Sequence, residues 1–165
     1  MKKIIFLILL LSLFVGCNLN RGEKVSVEGM DFVTDEIVNE QMLTSEKNVV
    51  CLWQPTCPPC EVELKIIERA YKDYPDINFV GIGVGESKDV INSAIENWNI
   101  SFNNYYITEE FLKEARELTN KTPTIFYLDK DGYEVAERDI GYVLSTEALE
   151  EGVAEFKANV EKAFN

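Results

Sequence analysis

The sequence contains no histidine. That absence removes the commonest general base and the commonest neutral metal ligand together. Positive charge is also scarce: 16 Lys and Arg stand against 29 Asp and Glu, a formal net charge of -13. So acidic a surface repels phosphate backbones and argues against a nucleic-acid partner. It says little about protein partners, because net charge also serves solubility. Long apolar runs are confined to one stretch near the start, too short for a span of roughly 20 residues. What is present is enough hydrophobic sequence, 46% of the 165 residues, to build the core of one domain. There are also four cysteines, Cys17, Cys51, Cys57 and Cys60, on which most of the chemistry must rest.

The early apolar run reads as an address. Lys2 and Lys3 precede Ile4 to Val15, which is broken only by Ser12, and Phe14-Val15-Gly16-Cys17 follows. Small residues before a cysteine at the end of such a run resemble a bacterial lipobox, with Phe14 where Leu is usual. The resemblance implies a signal peptide over residues 1–16 and a lipidated Cys17 as the first mature residue. Residues 17–24 then read as a polar tether and 25–165 as the domain. Removal of the leader takes two lysines and no acids, so the charge becomes 14 minus 29, or -15. Acyl chains, not a protein helix, would hold the domain at the extracytoplasmic face of the membrane. The alternative is a short buried helix or an uncleaved anchor.

Beyond Cys17 there is no repeat, low-complexity segment or second linker. Asn48 to Trp53 is a short apolar run suited to a strand buried on both faces. Pro58 and Pro59 stand where a helix can begin, since a first turn leaves its N–H groups unpaired anyway. From Cys60, the spacing of Val62, Leu64, Ile66, Ile67 and Tyr71 continues that helix to near Pro75. Ile77 to Val84 is a second strand. Ser87 is placed to cap a helix carrying Val90, Ile91, Ala94, Ile95 and Trp98. Phe102 to Ile107 reads as a short strand and Thr108 to Thr119 as an amphipathic helix. Thr124–Leu128 and Tyr133–Glu137 flank Asp129-Lys130-Asp131-Gly132, the signature of an antiparallel hairpin. Ser145 can cap a last helix bearing Leu149, Val153, Phe156, Val160 and Phe164. The order predicts an α/β fold: a central mixed sheet flanked by helices, closed by a β-hairpin and a helix.

The chemical centre is Trp53-Gln54-Pro55-Thr56-Cys57-Pro58-Pro59-Cys60. A Cys-x-x-Cys at a strand-to-helix junction places the first sulfur over the helix N-terminus, where a thiolate is favoured. The second sulfur, one turn on, can attack a mixed disulfide formed by the first. Cys57 is thus the nucleophile and Cys60 the resolving thiol. Pro58 and Pro59 delete two N–H donors near Cys57, so its thiolate should be less stabilised than in strongly oxidising pairs. A structural zinc site would need four ligands, and one cysteine pair without histidine does not supply them. An inert structural disulfide stays open, although closing so short a loop stabilises a fold little.

With these residues the sequence resembles the thioredoxin superfamily, and more closely the TlpA/ResA-like lipoproteins and secreted thiol–disulfide oxidoreductases. The resemblance runs from about Asn48 to the C-terminus. It rests on Trp-x-x-x-Cys-Pro-Pro-Cys, on Thr122-Pro123-Thr124 before a strand, and on the Asp-Gly hairpin with Gly141 after it. It implies a thioredoxin fold with a helix and strand inserted between Gly85 and Ile107. Pro-Thr-Cys-Pro also resembles thioredoxin-like accessory proteins of bacteriocin export, a weaker kinship. A peroxiredoxin motif would need Thr three residues before the cysteine, where Gln54 stands.

The resemblance further implies that Pro123 is a cis-proline facing the pair. Thr122 before it would expose its backbone to a substrate strand. Glu63, three residues after Cys60, corresponds to an acid near the active thiols. A carboxylate there can raise a thiol pKa or move a proton; the alternative is a solvent-facing helix acid, as Glu61 is expected to be. Cys51 occupies the place of a buried Asp in cytoplasmic thioredoxins. It reads as a small core hydrophobe, with a third redox cysteine as the alternative. Thr56 can donate a hydrogen bond near the sulfur or simply lie on the surface, and Trp53 is expected to pack beneath the site. The implied activity is reversible dithiol–disulfide exchange without a dissociable cofactor or metal. A reductase would be recharged by a membrane electron carrier of CcdA type and act on disulfide-bearing proteins, among them apocytochrome c or oxidised exported proteins. An oxidase is the alternative within the class, and a non-catalytic assembly or binding lipoprotein the alternative outside it.

Overall fold

A computed structural model of the chain describes residues 22–107, 121–140 and 148–165. Its centre is β3 (Lys47–Trp53), the apolar run Val49 to Trp53 with both faces buried. On one side β3 pairs in parallel with β4 (Ile77–Gly83), and β4 pairs in parallel with β5 (Asn103–Tyr106). On the other it pairs antiparallel with β6 (Thr124–Asp129), which pairs antiparallel with β7 (Asp139–Ile140). Two strands of two residues, β1 (Gly29–Met30) and β2 (Ile37–Val38), complete the far edge, giving the order β2-β1-β5-β4-β3-β6-β7.

Three helices are described: α1 (Pro58–Ala70), α2 (Lys88–Trp98) and α3 (Leu149–Phe164). One core joins them to the sheet face carrying Val49, Cys51, Trp53, Ile125 and Tyr127. The opposite face, with Val50, Leu52, Val80, Ile82, Phe126 and Leu128, is covered by Val25, Val27, Met42, Leu43 and Ile107. This is the sandwich that near-continuous apolar strands require. No helix among the described residues is long and apolar enough to cross a membrane.

Within the described residues the strands predicted at Asn48–Trp53, Ile77–Val84, Phe102–Ile107 and Thr124–Leu128 recur within a residue or two, α1 ends at Ala70 with a 3-10 turn to Asp73 before Pro75, and α2 with β5 occupies the stretch between Gly85 and Ile107. The hairpin is corrected in detail. Its turn is as expected: Asp129 Oδ1 accepts from the N–H groups of Asp131 and Tyr133, and Gly132 adopts a φ of +82° that its missing Cβ makes easy. The return strand, however, is not a regular Tyr133–Glu137. It bridges Leu128 at Glu134, bulges, and re-pairs only at Asp139–Ile140. Leu128 to Ile125 is three residues while their partners Glu134 and Asp139 are five apart, so two residues are extruded. Arg138 fills the bulge, stacked over the Phe126 ring at 4.8 Å and hydrogen-bonded to both oxygens of Glu134.

The end of the expected tether is also ordered by the fold. Gly22 donates to Glu134, Glu134 to Glu23, and Lys24 bridges Tyr133. The leader, Cys17, the helix expected at 108–119, Gly141 and Ser145 all lie outside the described residues.

Candidate active site: the Cys57–Cys60 pair and its surroundings

The backbone leaves β3 at Trp53 and turns so that the Cys57 N–H reaches the Gln54 carbonyl. Cys57 is the N-cap of α1, extended at φ -106° and ψ 103°, and Pro58 and Pro59 fill the first two helical positions. The first helical N–H is therefore that of Cys60, and it donates to the Cys57 carbonyl at 2.9 Å. Cys57 and Cys60 are joined as a disulfide, their Cα atoms 5.3 Å apart. Cys57 is half-buried and Cys60 fully buried. The accessible sulfur is thus the one a substrate can meet.

The polar neighbours of the two sulfurs differ. Cys60 Sγ accepts from the Gln54 N–H at 3.4 Å. Cys57 Sγ instead lies 3.3 Å from the carbonyl oxygen of Thr122, an acceptor that favours a thiol over a thiolate. The Thr122–Pro123 bond is cis, and this loop faces the disulfide across 65 residues of sequence. Gln54 links the two loops, its side-chain oxygen taking the Thr122 hydroxyl at 3.4 Å. Beside it Gly85, at φ +82°, leaves room for the Gln54 amide, which would lie 2.8 Å from any Cβ there. Thr56 is exposed and makes no hydrogen bond to either sulfur among the described residues. Trp53, fully buried, packs on Trp98 and donates its indole N–H to Asn104.

Glu63 and Glu61 are divided by helical phase. Glu61 lies half-exposed in an i,i+4 pair with Lys65. Glu63 shares the inward arc with Cys60, Leu64, Ile66 and Ile67 and is only 7% exposed. It has no hydrogen-bond partner among the described residues, and its carboxylate keeps only slight contact with solvent. Burial first, then the charges of Asp139 and Glu155, push its pKa up to about 7. Cys51 is buried on β3, its thiol directed at the Leu52 carbonyl. Burial and then the neighbouring Glu63 hold that thiol well above the ordinary cysteine value. Two further polar groups lie beside Cys51 and Glu63. Tyr127, on β6, donates to Asp139 Oδ2, which also accepts from Asn159 of α3 at 3.1 Å. Desolvation and the Asp139 bond raise the Tyr127 phenol, with Glu63 and Cys51 contributing less.

Sequence reading identified Cys57, Cys60, Glu63, Thr122 and Pro123; the fold brings Thr122 and Pro123 against Cys57 beyond the end of β3, while Glu63 lies buried along α1. It missed Gln54 as a bridge and the Tyr127–Asp139 pair. A polar-tipped aromatic at an inward position of β6 was the available signal for Tyr127. Asp139, on a two-residue strand, had none.

No family model and no curated protein matches this chain. Solved structures do. A thiol:disulfide interchange protein of the thioredoxin family from Chlorobium tepidum superposes with a TM-score of 0.67 at 19% identity, covering 90% of this chain and all of that one. A secreted disulfide oxidoreductase of Mycobacterium tuberculosis, homologous to E. coli DsbE, gives 0.59 at 18% identity over 78% of this chain and 94% of that one. StoA from Bacillus subtilis gives 0.56 at 19% identity over 79% and 98%. The chain therefore has the thioredoxin fold of these thiol–disulfide oxidoreductases, with its Cys-x-x-Cys pair at the N-terminus of the first helix after the central strand.

Proposed function

We propose that the protein is an extracytoplasmic protein-disulfide reductase, held at the membrane by a lipidated Cys17. The observation that carries the reading is the pairing of a half-exposed Cys57 with a buried Cys60 at a helix N-terminus, opposite the Thr122 carbonyl. In the reduced protein the Cys57 thiolate attacks one sulfur of a substrate disulfide and expels the other as a thiolate. Cys60 gives its proton to the Glu63 carboxylate, attacks Cys57, and releases the second substrate thiolate. Two electrons pass to the substrate and the Cys57–Cys60 disulfide remains. Glu63 suits this step because near neutral pH it exists in both protonation states.

The direction follows from what surrounds Cys57. Strong oxidants stabilise the reduced pair through a favoured thiolate. Here two prolines remove N–H donors and a carbonyl faces the sulfur, so the dithiol is comparatively reducing. The reading includes disulfide-bearing protein substrates, among them apocytochrome c or oxidised exported proteins, and a CcdA-type membrane donor that restores the dithiol. The reduction potential tests it: a value near about -270 mV or lower supports a reductant, and one near about -120 mV makes the protein an oxidant. Mixed disulfides trapped on Cys60→Ser would report the substrates.

A further inference from the structure

The β3–β6 ladder ends one pair short of the cysteines' loop. Its last pair is Leu52 with Thr124. One step on, Pro123 has no N–H to give, so main-chain pairing cannot continue there. Two steps on, the antiparallel register sets Gln54 opposite Thr122, the residues whose main chains meet the two sulfurs. At that point a side-chain contact takes over from the ladder: the Thr122 hydroxyl donates to the Gln54 amide oxygen at 3.4 Å. A hydroxyl both donates and accepts, so either end of the amide can serve it. The Gln54 amide nitrogen meets Gly85 on the neighbouring loop, 2.8 Å from where a Cβ there would stand. The Val84 N–H donates to the Trp53 carbonyl at 2.9 Å and fastens that loop alongside. The Gln54 side chain is thus seated between Thr122 and Gly85. Thr122 is flanked by fixed neighbours, since the Thr124 hydroxyl donates to the Lys121 carbonyl at 2.8 Å and Pro123 is buried. Its own carbonyl lies 3.3 Å from Cys57 Sγ. The main chain of Gln54, by contrast, bonds Cys60 Sγ and the Cys57 N–H whatever side chain it carries.

We propose that the Gln54 side chain is a positioning residue for Cys57: by holding Thr122 across the opening, it keeps the Thr122 carbonyl at the sulfur and holds Cys57 in its thiol form. The inference rests on the reductase reading above and deepens it, naming what disfavours the thiolate. In the reduced protein the Cys57 thiol donates to the Thr122 carbonyl. Loss of the proton removes that bond and leaves a negative sulfur against a carbonyl oxygen. Without the Gln54 contact the Thr122 peptide can turn its oxygen aside, and the thiolate forms more readily. The Gln54 side chain makes no hydrogen bond to either sulfur among the described residues. It acts through Thr122.

The test reads the thiolate directly. The pH midpoint of Cys57 alkylation by iodoacetamide is measured on the reduced protein, with the modified sulfur located by mass spectrometry. Gln54→Ala and Thr122→Val should each lower that midpoint by about half to one pH unit. The double variant should move no further than either single one, because both delete the same bond. Thr122→Ser, which keeps the hydroxyl, should stay with the wild type. An unchanged midpoint in Gln54→Ala overturns the proposal, even if Tm falls, because the side chain is then packing alone. Shifts that add in the double variant overturn it as well. The wild-type reduction potential tests the reductase reading separately: an oxidant's potential removes that reading, whereas the midpoints of the variants decide this proposal by themselves.

Discussion

Replacing Glu63 by glutamine in the oxidised protein should raise stability at pH 8 and leave it nearly unchanged at pH 4. The residue is 7% exposed and its pKa is pushed up to about 7 from an ordinary 4.5, chiefly by burial. Below both values the carboxyl is neutral in the folded and unfolded chains, and burial exacts no charge penalty. Between them the folded protein holds a proton that the unfolded chain has released, so stability falls as pH rises. Above the folded value the full penalty is present, about 3 kcal/mol as an upper bound. Glutamine has the same shape and no charge, so Glu63→Gln should recover most of it. For a domain of this size that is a rise in Tm of about 10 °C at pH 8. Thermal unfolding followed by circular dichroism at pH 4, 6 and 8, with the disulfide intact, reads the difference directly. A Tm difference between the two proteins that does not change with pH would refute the reasoning, because then Glu63 would not titrate from a buried position.

Cys51→Ala should destabilise the fold modestly, by about 1 kcal/mol, and leave insulin reduction intact, since the thiol is core packing. Loss of turnover in that variant with the fold retained would make Cys51 a redox partner. The reduced protein should be alkylated at Cys57 by iodoacetamide at a rate still climbing between about pH 6 and pH 8, because no N–H of the described residues reaches its sulfur. A rate already level at about pH 5 would show a strongly stabilised thiolate. Cys17→Ser should release the protein from membranes and abolish incorporation of labelled palmitate; continued membrane retention would count against the lipid anchor.

Much of the fold was legible because its central strands are apolar on both faces, so Val49–Trp53 and Ile77–Gly83 stand out as runs. The helices were legible from their spacing, and α1 also from the prolines that open it. What escaped was held by long-range contact. β1 and β2 are two residues each, and β1 becomes a strand by pairing Met30 with Tyr106. The bulge in the hairpin depends on Arg138 finding both Phe126 and Glu134, which no local pattern announces. At the site, Cys57 and Cys60 carry their chemistry in their spacing, whereas Glu63 and Glu61 are the same residue type two positions apart. Helical phase alone separates a buried carboxyl from a solvent ion pair. Tyr127 and Asp139 meet only because the return strand re-pairs after its bulge.

The central claim is that disulfide exchange runs through Cys57, with Cys60 resolving. Its most direct test is insulin reduction by the wild-type protein beside Cys57→Ser and Cys60→Ser, with dithiothreitol as reductant. The account predicts catalysis by the wild type, loss of it in Cys57→Ser, and, with pre-reduced Cys60→Ser freed of dithiothreitol, a stable mixed disulfide with insulin. Equal turnover by wild type and Cys57→Ser would contradict it.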